Sequence, residues 1–344
     1  MNFHNKVINW YKIHKRILPW RKTKNPYHVL VSEFMLQQTR ISKVLEYYDN
    51  FIKKFPNLKI LSKSDEITVL KEWEGLGFYF RAINLHNFSK KIFNIRFPRT
   101  YKELIKYKGI GLYTASAISS ICFNEKIPAI DGNAYRLYSR YFGIYKNINY
   151  SRSKKFLNFI YHLMDKVNPG IFNQSIMDIS SIICTPVNSK CFSCPIKIGC
   201  YSLINKTTNK LPIKISIINR KNKFLYYLFI ETIKKNFFIK KRLNNQMWGG
   251  MYDFPIIESN NSIENNILLN KIKVQYQNIH IISINDYIKY NISNKIFYIK
   301  FINCLITNYI NKLKTIFILI SYKMIKKYPF PKPILSFFNY KKII

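Results

Sequence analysis

Four cysteines crowd a single stretch of the chain: Cys184, Cys191, Cys194 and Cys200, separated by six, two and five residues. The stretch follows a helical pattern with Ile176, Ile179 and Ile183 on one face, and it contains Pro186 and Pro195. Four thiolates in one short loop can wrap a single cofactor, and without a secretory signal such clustering argues for metal rather than disulfides. Zinc sites of four cysteines more often pair two CxxC knuckles across a longer gap. Here one CxxC exists and no histidine lies nearby. An iron–sulfur cubane needs four soft ligands and tolerates irregular spacing, so it is the expectation, with zinc left open. Cys122 and Cys304 have no motif around them and read as ordinary thiols.

Three further features could do chemistry. Glu33 sits in VLVSEFMLQQTR, and on a helix its i±3 and i±4 neighbours are Val29, Leu30, Leu36 and Gln37. Unpaired charges rarely occupy such an apolar face. Desolvation there would raise the pKa and leave an acid able to donate a proton near neutrality. A carboxylate satisfied by a structural arginine such as Arg21 explains the same local pattern equally well. Gly109-Ile110-Gly111 precedes a helix expected to begin near Leu112. Two glycines so placed allow a tight hairpin whose N–H groups face outward and bind phosphate without reading bases, although GxG by itself also describes an ordinary helix-connecting turn. Asp131, in PAIDGNAYRL, precedes a helix and suits its N-cap.

The elements that must position these groups fall into two regions. Residues 1–200 read as helical. From Val29 to Phe55 apolar residues recur at Phe34, Ile41, Val44, Leu45, Tyr48, Ile52 and Phe55, close to a 3.6 period, and Pro56 closes the stretch. Further helical segments are expected around 65–74, 79–93, 100–106, 112–123, 132–142, 152–166 and 172–183. Residues 201–222 are polar and basic without amphipathic period and read as a linker. Beyond it β-rich runs cover 224–232, 236–240, 279–284, 296–306 and 315–320, interrupted by a helical stretch near 262–271. That pattern predicts a small mixed α/β domain over 223–344. No repeat of fixed period is visible.

Composition narrows the partner. Lys and Arg number 56 against 17 Asp and Glu, a formal charge of +39, which suits a polyanion, nucleic acid before acidic membrane. The chain is also saturated with Ile, Lys, Asn, Tyr and Phe, as AT-rich coding DNA would produce, so the charge permits nucleic-acid binding without proving it. With 48% hydrophobic residues, wholesale disorder is not expected. No apolar run reaches the roughly 18 residues of a membrane span. The start MNFHNKVINW lacks a signal h-region. A cytoplasmic, DNA-associated protein without a membrane partner is the expectation.

The six–two–five cysteine spacing after a helix resembles the 4Fe–4S loop of the endonuclease III and adenine DNA glycosylase superfamily. SEFMLQQTR resembles the adenine glycosylase signature around the acid that protonates the departing base, and LPWRK (Leu18 to Lys22) and NPY (Asn25 to Tyr27) also match. The resemblance implies that Glu33 is that acid, and that Trp20, Arg21 and Leu36 line the adenine pocket. Gln38 would insert beside the estranged base and Tyr79 would wedge into the stack. Gly109 and Gly111 would form the helix–hairpin–helix, about residues 104–118. Asp131 would stabilise positive charge at C1′, supported by Asn133. Endonuclease III-like enzymes carry a lysine where this chain has Tyr113, and a phenol cannot form a Schiff base. QMWGGMYDFP (Gln246 to Pro255) resembles the opening of a Nudix-like domain that reads 8-oxoguanine, without the glutamate cluster of a Nudix hydrolase. The family's Phe-Ser-His loop corresponds to Ile292-Ser293-Asn294, which keeps the serine alone.

Together these readings predict an α+β multidomain protein. Residues 1–200 would be an all-α helix–hairpin–helix glycosylase domain with an iron–sulfur loop over 184–200, followed by a Nudix-like mixed α/β domain. The expected function is base excision DNA repair. The protein would be a monomeric, monofunctional adenine glycosylase carrying one 4Fe–4S cluster and acting on duplex DNA with adenine opposite 8-oxoguanine or guanine. The alternatives are an endonuclease III-like glycosylase/lyase acting on oxidised pyrimidines and a non-catalytic iron–sulfur DNA-binding protein.

Overall fold

The computed structural model describes residues 3–164, 168–214, 221–276, 278–292, 295–307 and 311–343. Its first helices are α1 (Phe3–His14), α2 (Pro26–Leu36), α3 (Ile41–Lys54), α4 (Leu58–Lys63), α5 (Glu66–Glu72) and α6 (Phe80–Ile92). They are followed by α7 (Tyr101–Leu104), α8 (Leu112–Phe123), α9 (Gly132–Phe142), α10 (Lys154–Leu163), α11 (Pro169–Ile182) and α12 (Tyr201–Ile204). The strands are β1 (Lys221–Thr232), β2 (Asn236–Lys241), β3 (Tyr252–Asp253), β4 (Ile256–Ser259), β5 (Ile279–Ile284), β6 (Ile288–Ile292), β7 (Lys295–Ile306) and β8 (Ile318–Ser321). Helix α13 (Asn265–Gln275) lies between β4 and β5, α14 (Asn311–Ile316) precedes β8, and α15 (Lys332–Tyr340) comes last. The chain divides into two compact units, residues 1–63 with 84–216 and residues 64–83 with 217–344. Among the described residues no helix is long and apolar enough to cross a membrane.

The first unit is helical. Helix α2 is buried on every side from Val29 to Met35, as expected of a helix apolar all round. Helix α9 is likewise buried on every side from Ala134 to Arg140, whereas α10 buries one stripe; Tyr135 and Tyr138 pack with Phe156, Ile160, Phe172, Ile176 and Ile179 in one core. The apolar period from Val29 to Phe55 resolves into two helices rather than one. The chain breaks at 37–40, where Gln38 takes the left-handed conformation at φ 57°. At the break the Gln37 side-chain amide donates to Gly109 O at 3.1 Å.

The second unit is a sheet covered on both faces. Strands run in the order β3-β2-β1-β7-β5, with β4 beside β1, β6 beside β7 and β8 beside β2. The parallel pair β1 and β7 is in register from Lys221↔Lys295 to Thr232↔Ile306. Side chains alternate across a strand, so Leu225, Tyr227 and Phe229 enter a core with Ile334, Phe337 and Phe338 of α15. Tyr226, Leu228 and Ile230 enter another with Leu268 and Ile272 of α13. A strand buried on both faces reads as a continuous apolar run, which is why FLYYLFI lacks polar alternation. Residues 64–83, contiguous in sequence with the helical region, pack here: Glu66 pairs with Lys241 at 2.9 Å, and Glu74 accepts from the Phe330 N–H at 2.7 Å. The run 315–320, expected as strand, is helix to Ile316 and strand from Ile318. Gly249 sits where a Cβ would lie 2.7 Å from backbone atoms of Leu243 and Asn244, so the tight turn in QMWGG admits no side chain there.

Candidate active site

The hairpin forms as the sequence predicts. Gly109 has φ 91°, and Gly111 is the N-cap of α8, which begins at Leu112. A side chain at Gly109 would collide with Asn84 and Phe34, at 2.7 Å and 3.0 Å. The hairpin therefore packs directly on α2 at the residue following Glu33. Gly109, Gly111 and Tyr113 line a groove of about 1510 Å³ together with Gln37, Gln38 and Asp131.

Asp131 is the N-cap of α9, as expected. Its Oδ1 accepts from Ala134 N at 2.7 Å and its Oδ2 from Asn133 Nδ2 at 2.9 Å. Such a cap contributes about 1 kcal/mol, and here it also fixes the carboxylate on the groove lining. Asn133 Oδ1 in turn accepts from Arg136 Nη1 at 3.0 Å.

Glu33 lies in the middle of α2 and is 5% exposed. Among the described residues its Oε2 is buried without a hydrogen-bond partner. Burial pushes the carboxyl up to about 8, the neighbouring charge of Asp131 adds to the shift, and Arg21 opposes it. Such a group is mostly protonated at neutral pH and can donate a proton. The arginine pairing that offered a structural explanation is made elsewhere. Arg21 gives Nη1 and Nη2 to Asp178, at 2.6 Å and 2.9 Å. Arg16 adds its Nε at 2.7 Å and also its Nη2. Tyr113 turns its hydroxyl to Met177 Sδ at 3.6 Å, and burial together with Glu33 and Asp131 holds that phenol well above its ordinary range.

Of the remaining residues singled out in the sequence, Gln38 lines the groove already described. Trp20 is 6% exposed and stands edge-on to Tyr48, with ring centroids 5.1 Å apart. Leu36 ends α2 half-buried, and Gln38 is exposed in the loop that follows. Tyr79 belongs to the second unit, where its hydroxyl accepts from the Gly75 N–H at 3.1 Å. Ser293 lies outside the described residues.

Cys184, Cys191, Cys194 and Cys200 come together around one tight pocket of about 30 Å³. None is in a disulfide, and among the described residues no group of three or more His, Cys, Asp or Glu is arranged to hold a metal ion. The donor set is all thiol, which suits a soft polynuclear centre. Arg140 ties the loop down, donating to Thr185 O at 2.7 Å, Ser189 Oγ at 2.8 Å and Pro186 O at 3.2 Å, with Cys184 Sγ 3.5 Å away. One turn earlier, Arg136 donates to Cys184 O at 2.9 Å and Ser180 O at 2.7 Å. Sequence reasoning missed both arginines as well as Asp178. The visible signal was RLYSR, which puts two arginines at i, i+4 on a helix rich in aromatic residues.

Comparison with known proteins agrees with this geometry. Residues 31–161 match the HhH-GPD superfamily of base excision DNA repair proteins. An adenine DNA glycosylase of Buchnera aphidicola subsp. Schizaphis graminum is 37% identical over 264 residues, 74% of either chain. Another from Buchnera aphidicola subsp. Baizongia pistaciae is 37% identical over 285 residues, 80% of either chain. Among solved structures, a thermostable thymine-DNA glycosylase superposes with TM-score 0.54 at 27% identity, covering 59% of this chain and 95% of that one. With the hairpin, the buried acid and the capping aspartate in one helical unit, the chain belongs to the adenine DNA glycosylase family.

Proposed function

We propose that this protein hydrolyses the N-glycosidic bond of adenine in duplex DNA, opposite 8-oxoguanine or guanine, as a monofunctional glycosylase. The observation that carries the reading is Glu33: a buried carboxyl with an unengaged oxygen, raised to about 8, in the electrostatic field of Asp131 and Tyr113. Its proton goes to the departing base as the bond from C1′ to the base breaks. Asp131, held by Ala134 N–H and Asn133, faces the positive charge that develops on the sugar. Water then supplies the hydroxyl to C1′ and its remaining proton restores Glu33. Acid catalysis of this kind contributes about 10²–10⁴-fold. Tyr113 offers no amine for a Schiff base, so the reaction ends at an abasic site.

Trp20, Arg21 and Leu36 would shape the adenine pocket, with Gln38 and Tyr79 inserting into the duplex once the nucleotide is flipped. Gln38 already holds a left-handed backbone, a strained state of the kind found at functional loops. Cys184, Cys191, Cys194 and Cys200 would hold one 4Fe–4S cluster, which when bound braces the loop that Arg140 ties down. The mixed α/β unit would read the opposite base as a Nudix-like domain, with Ser293 as its candidate contact.

The reading is tested by single-turnover adenine release from duplexes with adenine opposite 8-oxoguanine, guanine or thymine, alongside borohydride trapping and iron and sulfide analysis. Release opposite 8-oxoguanine and guanine, no trapped adduct, and four irons with four sulfides per chain are the expected results. Equal release opposite all three bases would remove the opposite-base reader. A trapped adduct would replace the monofunctional mechanism with that of a lyase, and zinc in place of iron would overturn the cluster.

A further inference from the structure

The groove beside Asp131 has two walls of different origin. One is the hairpin. The other is the turn of 3₁₀ helix at 148–152 with α10, and it presents Arg152, Lys154, Lys155, Asn158 and Tyr161. All five are exposed. Among the described residues none of the three cations forms a salt bridge, and Asp131 is the single acidic side chain in the groove lining.

The wall is rigid. Phe156 and Ile160, 1% and 0% exposed, anchor α10 in the core with Tyr135 and Tyr138, and Ser153 Oγ caps the helix by accepting from Phe156 N at 3.2 Å. Positions 154, 155 and 158 are therefore held on the solvent side of a fixed helix. Their charge does not serve the helix, since cations in a first turn oppose the macrodipole. General enrichment in lysine explains their presence on a surface. It does not explain three cations gathered on one groove wall and, among the described residues, paired with no acid.

We infer that this wall is a second DNA-contacting surface, on which Arg152, Lys154 and Lys155 neutralise backbone phosphates flanking the nucleotide drawn toward Asp131, with the Asn158 amide hydrogen-bonding the same backbone. The inference rests on the reading of this protein as acting on duplex DNA. Contacts of this type are independent of sequence and release condensed counterions, so each appears in the salt dependence of binding.

The test compares three full-length proteins binding an undamaged fluorescent duplex from low to moderate salt. They are the wild type, a groove variant (Arg152→Ala, Lys154→Ala and Lys155→Ala) and a control of equal charge loss outside the groove lining (Lys53→Ala, Lys59→Ala and Lys63→Ala). Unchanged melting temperatures check that both variants fold. The slope of log affinity against log salt should become shallower by about 2 to 3 in the groove variant and by less than about 1 in the control. Low-salt affinity should fall about tenfold or more in the groove variant alone. Equal changes in the two variants would overturn the wall and leave the glycosylase reading standing. A wild type that binds no duplex at any salt would overturn both.

Discussion

Glu33 on α2 and Asp178 on α11 are both buried carboxyl groups of the helical unit, and Arg21 touches the electrostatics of each. Their surroundings differ in one respect. Asp178 has two arginines in contact: burial pushes its carboxyl up, but Arg21 and Arg16 outweigh that and hold it below its ordinary value. Among the described residues Glu33 forms no salt bridge, and a second carboxylate, Asp131, adds to the penalty of burial. Burial alone does not make an acid catalyst. What decides is where the fold spends its cations, and here Arg21 is committed to the scaffold so that Glu33 stays protonated.

The largest effect should come from breaking the acid. Glu33→Gln preserves shape and removes the proton, so single-turnover adenine release should fall by about 10²–10⁴-fold. Its melting temperature should match the wild type's in acid and exceed it increasingly as pH rises from about 4.5 to about 8. The sign follows from the raised pKa: the unfolded chain ionises Glu33 from the ordinary value near 4.5 while the folded state holds it neutral to about 8, so the wild type loses stability across that window, and an amide does not ionise. A stable variant with near-wild-type rates would end the assignment.

Asp178→Ala should do the opposite, leaving two arginines facing an empty site. Loss of one partner of a buried pair costs about 3–5 kcal/mol, read as a lower denaturation midpoint. A loss below about 1 kcal/mol would mean that the cluster contributes little to the scaffold. Because the Asp178 pKa is depressed, its contribution is present above the unfolded value near 3.8 and lost as pH falls below it. Arg16→Ala should matter least. Arg21 still holds Asp178, and Arg16 is 26% exposed, so about 1.5–2 kcal/mol is expected, the lower end of the range for a hydrogen bond to a charged group. A loss equal to that of Asp178→Ala would show that Arg21 alone cannot hold the carboxylate.

How much of this was legible in the sequence depends on the range of the interaction. Local features were. The cap at Asp131 needs residues three apart, the GIG turn needs one left-handed glycine, and the cysteine loop needs a single short stretch. The burial of Glu33 followed from its i±3 and i±4 neighbours. Its protonation did not, because the arginine that could have neutralised it is engaged by Asp178, far along the chain. The same limit hid the break after α2: the apolar period runs through it, and the contact made there, from the Gln37 side chain to Gly109, is long-range. Packing of 64–83 with the sheet unit rests on partners beyond residue 240, such as Lys241 and Phe330. The shift from helix to strand around Phe317 was illegible for a local reason, since TIFILI suits either state.

The most direct test of the account is the pH dependence of the single-turnover rate of adenine release on an 8-oxoguanine:adenine duplex, taken from pH 5 to pH 10. A protonated Glu33 acting as the acid predicts a rate that holds through neutrality and declines as pH rises through about 8. A rate that already declines above the ordinary glutamate range near 4.5, or one that stays at its maximum to pH 10, would contradict the claim that burial keeps this carboxyl protonated for catalysis.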